Sequence, residues 1–326
     1  VGCHIGAGLI SAEVNELGAA LVTSKKEDGT FDLEHWGGEG MQNLTPLWLL
    51  KYLPNMLACH VTIVHDCQGP SNTITCCEAS SGLSIAESRR VIHRGDADAC
   101  LSGGAEDRIN PLALYRQHCT GRLLESDGSG DMNTLVQPFS EEANGTVIGE
   151  GGGILIVESK TSCDKRSGSP WCAINGIGCR QSFSDSPLKT DPHTIASAIN
   201  KALKEANCEA GDIDDIVPLG AGIKQLDTAE REGLATVFGD KLTSIPTITT
   251  IPYTGNCMAG NGAIAIGVAA KMIKEQQTPA RIGAIETKGI DAARCNSQQK
   301  QINKVLVVTP SEGGQCVAII LGRIEA

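Results

Sequence analysis

The chain has 326 residues, 41% of them hydrophobic but only 3% aromatic, with 38 glycines, 14 cysteines and a formal net charge of -11. That length fits about two domains or one large α/β unit, and the apolar content supplies a full core of Ala, Val, Ile and Leu. Intrinsic disorder, a collagen-like repeat and a coiled coil are excluded, and the negative balance argues against a broad nucleic-acid-binding face.

The N-terminus, Val1-Gly2-Cys3-His4-Ile5, lacks a Met, a basic start and the apolar run of a signal peptide, and it begins inside a strand-like segment. Apolar runs bounded by turn residues predict strands at 61–64, 72–76, 99–101 and 153–157. On this reading His60 and His65 lie in a strand–loop setting and are structural. The segment 80–94 predicts a helix with Leu83, Ala86 and Ile92 inward and Glu87, Arg89 and Arg90 outward. A polar link at 159–170 then divides the chain into halves, 1–160 and 161–326.

The second half repeats the rhythm. Strands are predicted at 173–178 and 213–219, helices at 194–206, 228–238 and 261–274, and a terminal hairpin at 305–308 and 316–321. Strands alternating with helices in two similar halves imply a layered α/β protein with mostly buried sheets. No apolar run reaches the roughly 18 to 20 residues that cross a bilayer; the best candidate ends at Lys271. The cysteines are scattered without a CxxC pair or zinc-finger spacing, so they read as reduced thiols of a cytoplasmic protein that binds no metal. On that view the sequons at Asn43 and Asn144 are chance matches.

Three stretches go beyond a generic α/β pattern. Gly69-Pro70-Ser71 runs into Cys76-Cys77-Glu78-Ala79-Ser80-Ser81-Gly82, and the helix that follows leads to Ser102-Gly103-Gly104-Ala105-Glu106. Pro138-Phe139 then precedes Gly149-Glu150-Gly151-Gly152-Gly153. Together with Asp227-Thr228-Ala229-Glu230, Thr254-Gly255-Asn256 and Gly313-Gly314-Gln315, in this order, they resemble the β-ketoacyl-(acyl carrier protein) synthases of the thiolase-like condensing enzymes. The resemblance spans essentially the whole chain. It implies a five-layered αβαβα sandwich of two pseudo-repeated halves, a dimer, and no cofactor. Against that family roughly the first fifth is missing, and Val1 corresponds to a strand well inside the first half. A sheet edge would then lie exposed, an aggregation hazard that favours an incomplete chain.

Members of that family carry the acyl chain on a cysteine at a strand-to-helix elbow. There the helix N-terminus lowers the thiol pKa and backbone N–H groups hold the oxyanion. Two histidines from the second half promote decarboxylation, and a lysine supports them. Carried over residue by residue, the cysteine position falls on Glu78, with Cys77 and Cys76 just before it. The two histidine positions fall on Leu219 and Asn256, and the lysine position on Ile251. The phenylalanine-bearing turn that gates acyl entry reads Pro310-Ser311-Glu312-Gly313-Gly314. The last of the seven histidines is His193, so no shift of register restores the pair.

Glu78 has two readings: a relic carboxylate paired with the helix N-terminus or mimicking an acyl anion, or a base. Without a histidine or lysine partner a buried glutamate would tend to protonate, and base catalysis needs a partner in reach. Cys77 as a nucleophile displaced by one residue is disfavoured, because the shift turns its side chain away. Ser80 and Ser81 fit helix first-turn hydrogen bonding better than catalysis. Asn256 can donate and accept hydrogen bonds but cannot shuttle a proton.

The expected function is therefore a non-catalytic, chain-length-factor-like subunit in fatty-acid or polyketide synthesis, paired with a catalytic ketosynthase or with itself. The alternatives are altered chemistry through Glu78, as a decarboxylase or acyltransferase, or a structural or acyl-binding homodimer. An acyl carrier protein with its phosphopantetheine arm is the expected partner, with no nucleic acid and no membrane span. Because a carrier protein is acidic, Arg108, Arg116 and Arg122 are candidates for its docking patch, against their reading as ordinary surface charge.

Overall fold

The computed structural model describes residues 1–324 other than Asp127 and Ser184. In chain order the strands are β1 Gly2–Gly6, β2 Ser71–Ile74, β3 Ala99–Asp107, β4 Glu150–Glu158, β5 Ala173–Gln181, β6 Asp215–Val217, β7 Gln277–Thr278, β8 Gln298–Gln299, β9 Lys304–Pro310 and β10 Gln315–Gly322. The helices are α1 Val14–Thr23, α2 Leu33–His35, α3 Asn55–Val64, α4 Ser80–Arg94, α5 Pro111–Cys119, α6 Lys160–Lys165, α7 Pro192–Glu205, α8 Lys224–Phe238, α9 Ile251–Thr254 and α10 Asn261–Glu275. Two four-stranded sheets carry the fold, ordered β2-β1-β3-β4 and β5-β10-β9-β6.

The halves repeat one plan. β1 pairs parallel with β3 as β6 does with β9, and β3 pairs antiparallel with β4 as β9 does with β10. Alternation along the second sheet explains its double coverage. Leu306, Val308, Ala318 and Ile320 face outward onto Ile195, Ile199 and Leu203 of α7 and Leu234 of α8. Val305, Val307, Val317 and Ile319 face inward onto Ile85 of α4 and Ile266, Ala269 and Ile273 of α10. A strand apolar on both faces is buried on both faces. The two central helices approach closely at their first turns, where a Cβ on Gly262 would lie 3.1 Å from the backbone nitrogen of Gly82. On the first sheet's outer side, Leu57, Ala58 and Val61 of α3 pack on Cys3, Ile5 and Leu101. The layers are thus helix, sheet, helix pair, sheet, helix, the sandwich that the resemblance implies.

One predicted strand is a helix. Residues 61–64 form the last turn of α3, with His60 inside that helix and His65 at its C-cap. The β-branched run Val61-Thr62-Ile63-Val64 imitates a strand, but Leu57, Ala58 and Val61 fall at helical spacing and supply the buried face. The polar link also carries a short helix, α6, capped by the Ser159 side chain.

Candidate functional site

The site begins at the elbow after β2. Cys77 has φ +47, a left-handed conformation that is strained for a residue with a Cβ. It opens a short 3-10 turn, Cys77–Ala79, that leads into α4. Ser80 closes the turn: its hydroxyl donates to the Cys77 carbonyl at 2.6 Å and accepts from the Cys76 N–H at 2.9 Å. Ser81 donates instead to the carbonyl of Ala259 in the other half. Ser80 thus has the hydrogen-bonding duty expected of a first turn, whereas Ser81 makes a long-range bond to the other half.

Glu78 is fully buried and has a cationic partner that the sequence did not disclose. Its Oε1 pairs with Nη2 of Arg122, and its Oε2 accepts the Glu312 backbone N–H at 3.3 Å. Arg122 Nη1 reaches Glu312 Oε2 at 2.6 Å, and the Cys77 thiol donates to Glu312 Oε1 at 2.9 Å. Arg122 is therefore no part of a surface patch: its side chain is 0% exposed. The backbone fixes it there, with the Arg122 N–H donating to the Gln117 carbonyl and the Thr146 N–H donating to the Arg122 carbonyl. Nothing in the spacing of Gly121-Arg122-Leu123 marks this burial. The available signal was the pair of glutamates at elbow and gate, which together call for a cation. Of the other two arginines, Arg108 is largely buried and pairs with Glu106, and Arg116 is exposed.

The electrostatics follow from burial. Desolvation pushes the Glu78 carboxyl up, but the Arg122 guanidinium outweighs it and holds Glu78 below the usual carboxylate range. The expected protonation of Glu78 is corrected by that partner. Burial, with Glu78 and Glu312 beside it, pushes the Cys77 thiol far above its ordinary value, so it stays a protonated donor. The remaining space, lined by Glu78, Thr190, Leu219, Pro310 and Glu312, is about 10 Å³. That is room for at most one water.

Leu219, Pro310 and Glu312 thus share one small cavity with Glu78, while Ile251 lies beside it. Leu219 and Ile251 belong to a single apolar cluster with Val136, Ala221, Ile223 and Leu226. The loop that carries Leu219 is clamped by two carboxylates one turn apart on α8. Glu230 accepts the Leu219 and Gly220 N–H groups, each at 2.9 Å, and Asp227 accepts those of Ala221 at 2.8 Å and Gly222 at 3.0 Å. Burial raises the pKa of Asp227 to about 7 and that of Glu230 to about 8. The Asp227–Glu230 segment contributed only a family pattern in sequence; its work is to hold this loop.

Asn256 stands apart, at the elbow of the second half. Its Oδ1 accepts from the Met258 N–H at 2.9 Å and from Asn261 Nδ2 at 2.7 Å, so the amide pins the turn into α10. Glu106 of β3 ties down this second elbow, accepting the Ala259 N–H at 2.9 Å. The larger groove, about 590 Å³ and lined by Ile10, Leu47, Trp48, Leu50, Met56 and His60, contains none of the catalytic or gate positions carried over from the family pattern. Among the described residues no group of three or more His, Cys, Asp or Glu side chains is placed to hold a metal. No described helix is long and apolar enough to cross a membrane.

Two α/β halves with matching elbows, one of them facing a clamped loop and a glycine turn, define a thiolase-like condensing-enzyme scaffold. Residues 7–162 match the β-ketoacyl synthase N-terminal domain and residues 171–285 the C-terminal domain, and the chain belongs to the β-ketoacyl synthase family. It is 26% identical over 304 residues to 3-oxoacyl-[acyl-carrier-protein] synthase 2 of Staphylococcus aureus, covering 91% of this chain and 72% of that one. To the tetracenomycin polyketide synthase ketoacyl synthase beta subunit of Streptomyces glaucescens it is 27% identical, covering 97% of this chain and 78% of that one. The solved ishigamide ketosynthase/chain length factor superposes with a TM-score of 0.84 at 22% identity, covering 99% of this chain and 75% of that one. A β-ketoacyl synthase from Burkholderia phymatum gives the same TM-score, 0.84, at 20% identity, covering 99% of this chain and 76% of that one.

Proposed function

We propose that this chain is a non-catalytic, chain-length-factor-like subunit that pairs with a catalytic ketosynthase in fatty-acid or polyketide synthesis. The observation that carries this reading is the buried Glu78–Arg122–Glu312 cluster. One carboxylate oxygen of Glu78 takes the Glu312 N–H, a donor that an acyl oxyanion would need, and the Arg122 side chain fills the space behind. The neighbouring thiol of Cys77 is held protonated and hydrogen-bonded to Glu312. The apolar contact between Leu219 and Ile251 leaves no proton carrier at those positions.

The relatives named as a beta subunit and as a ketosynthase/chain length factor support the same assignment. Pairing has a suitable face. β2 forms one edge of its sheet, and Ile63 and Val64 at the end of the neighbouring α3 are each 74% exposed. An open strand edge beside exposed apolar side chains is a template for association. A carrier-protein complex, as described for a type II polyketide ketosynthase of similar fold, would then involve the pair, in a cytoplasmic assembly.

Base catalysis by Glu78 is the weaker reading, since Arg122 lowers the basicity of its carboxylate and both of its oxygens are engaged. Intact-mass spectrometry after incubation with acyl- and malonyl-carrier protein tests the assignment: no adduct and no loss of CO₂ are expected, and either one overturns it. Co-expression with a catalytic ketosynthase should give a co-purifying complex. A stable homodimer that captures no such chain removes the heterodimer part of the proposal.

A further inference from the structure

Arg122 is held by two carboxylates of unequal standing. Glu78 is 0% exposed and sits in the elbow, whereas Glu312 is 22% exposed and sits on a glycine turn between two strands. That turn is Pro310-Ser311-Glu312-Gly313-Gly314. Gly314 has φ +79, and a Cβ there would lie 2.3 Å from the Ser182 carbonyl oxygen, so only glycine serves. The Glu312 carboxylate bonds to the guanidinium and the Cys77 thiol, one oxygen to each. The buried Nε–H of Arg122 has no partner among the described residues, so Glu78 and Glu312 leave the guanidinium incompletely satisfied.

We propose that Arg122 is a carboxylate-binding site and that Glu312 is its built-in, displaceable occupant. When the Glu312 side chain swings outward from the turn, the Arg122 Nη1 group that it vacates presents its N–H donors. Those donors match a small carboxylate, free or at the end of an acyl group. Glu78 stays in place and keeps the arginine ionised and oriented. The inference rests on the non-catalytic assignment only in taking Glu78 as a fixed partner instead of a reacting group; no bond is made or broken in it.

The test uses the full chain and its E312A variant, titrated with formate and followed by thermal unfolding. Formamide, the neutral isostere, and chloride at equal ionic strength serve as controls. Formate should raise the E312A midpoint saturably by several degrees. Half-saturation in the wild type should need roughly tenfold more formate or beyond, because Glu312 competes there. Formamide should do nothing. A formate response in E312A no larger than that of chloride, or matched by formamide, overturns the proposal. If E312A does not fold, E312S, which vacates the same space while keeping a short polar side chain, is read in the same way. Malonate and malonyl-pantetheine, added to the same variant, separate the sources: tighter saturation by the thioester assigns an acyl group, tighter saturation by the acid a free anion. An acyl adduct on any residue other than Glu78 in the mass experiment would end the non-catalytic assignment without touching this one, and a null formate titration would do the reverse.

Discussion

The two elbows have the same backbone and different work. Cys77 and Met258 have φ +47 and +46, each opens a three-residue 3-10 turn, and each turn leads into a 15-residue central helix. In the first half the turn carries a charge, Glu78, held by an arginine from a distant loop and opposed by a second glutamate. In the second half the turn carries Met258, fully buried, and is pinned by the uncharged amide of Asn256. The left-handed residue is therefore a requirement of the pseudo-repeated fold and survives whatever side chain stands beside it. Chemistry is the variable part, and the two halves should fail in different ways when perturbed.

The largest difference should come from the charge. R122M strands Glu78 in the interior without a counter-ion, and breaking a buried pair from one side costs about 3–5 kcal/mol. Replacing the whole cluster, as E78L/R122M/E312L, should recover most of that loss, because an apolar trio leaves no charge to solvate. Urea denaturation of the three proteins measures both numbers. A triple variant no more stable than R122M would mean that the cluster stabilises the first elbow outright.

The second comparison exchanges the strained residues. M258G removes the left-handed strain but empties a fully buried site, and the cavity should dominate at about 2–5 kcal/mol of destabilisation. C77G removes the same strain and loses only a thiol contact to Glu312, so its stability should stay within about 1 kcal/mol of wild type. N256A lies between them. It leaves the Met258 N–H and the Asn261 amide without their acceptor, a loss of about 1–3 kcal/mol. Equal losses from C77G and M258G would refute the division of labour between the elbows.

How much of this was legible from sequence differs between the same regions. The strands of the second sheet were found because Val305 to Val308 and Cys316 to Leu321 are apolar at every position, a pattern that only double burial explains. The run at 61–64 misled because four residues are too few to separate a β-branched helix end from a strand. Motif register singles out Glu78 but not its partner, since Arg122 reaches it across 44 residues with no period to follow. The same limit hid the Asp227 and Glu230 clamp, whose acceptor role depends on a loop folded back over the start of α8. Local geometry is written in local pattern; a buried charge is written only in the residues that surround it.

The smallest effect should be a pH dependence of opposite sign in the two halves. Glu78 has its pKa lowered in the folded state, so it stabilises the fold above the ordinary carboxylate range and that contribution is lost as pH falls through its folded value. Asp227 and Glu230 are raised to about 7 and about 8. Below about pH 4 both folded and unfolded chains hold these protons, and between there and pH 7 to 8 only the folded chain does. Stability contributed by this pair therefore falls as pH rises through that window. Melting temperatures recorded from acid to mildly alkaline pH should show both limbs in the wild type. E78Q should flatten the limb at the acid end alone, and E230Q should reduce only the fall between about pH 4 and 8, each on top of its own uniform loss. If E78Q instead flattened the fall between about pH 4 and 8, the charge at the first elbow and the clamp in the second half would be one coupled system, because the small cavity that touches Glu78, Asp227 and Glu230 alike would be transmitting the charge.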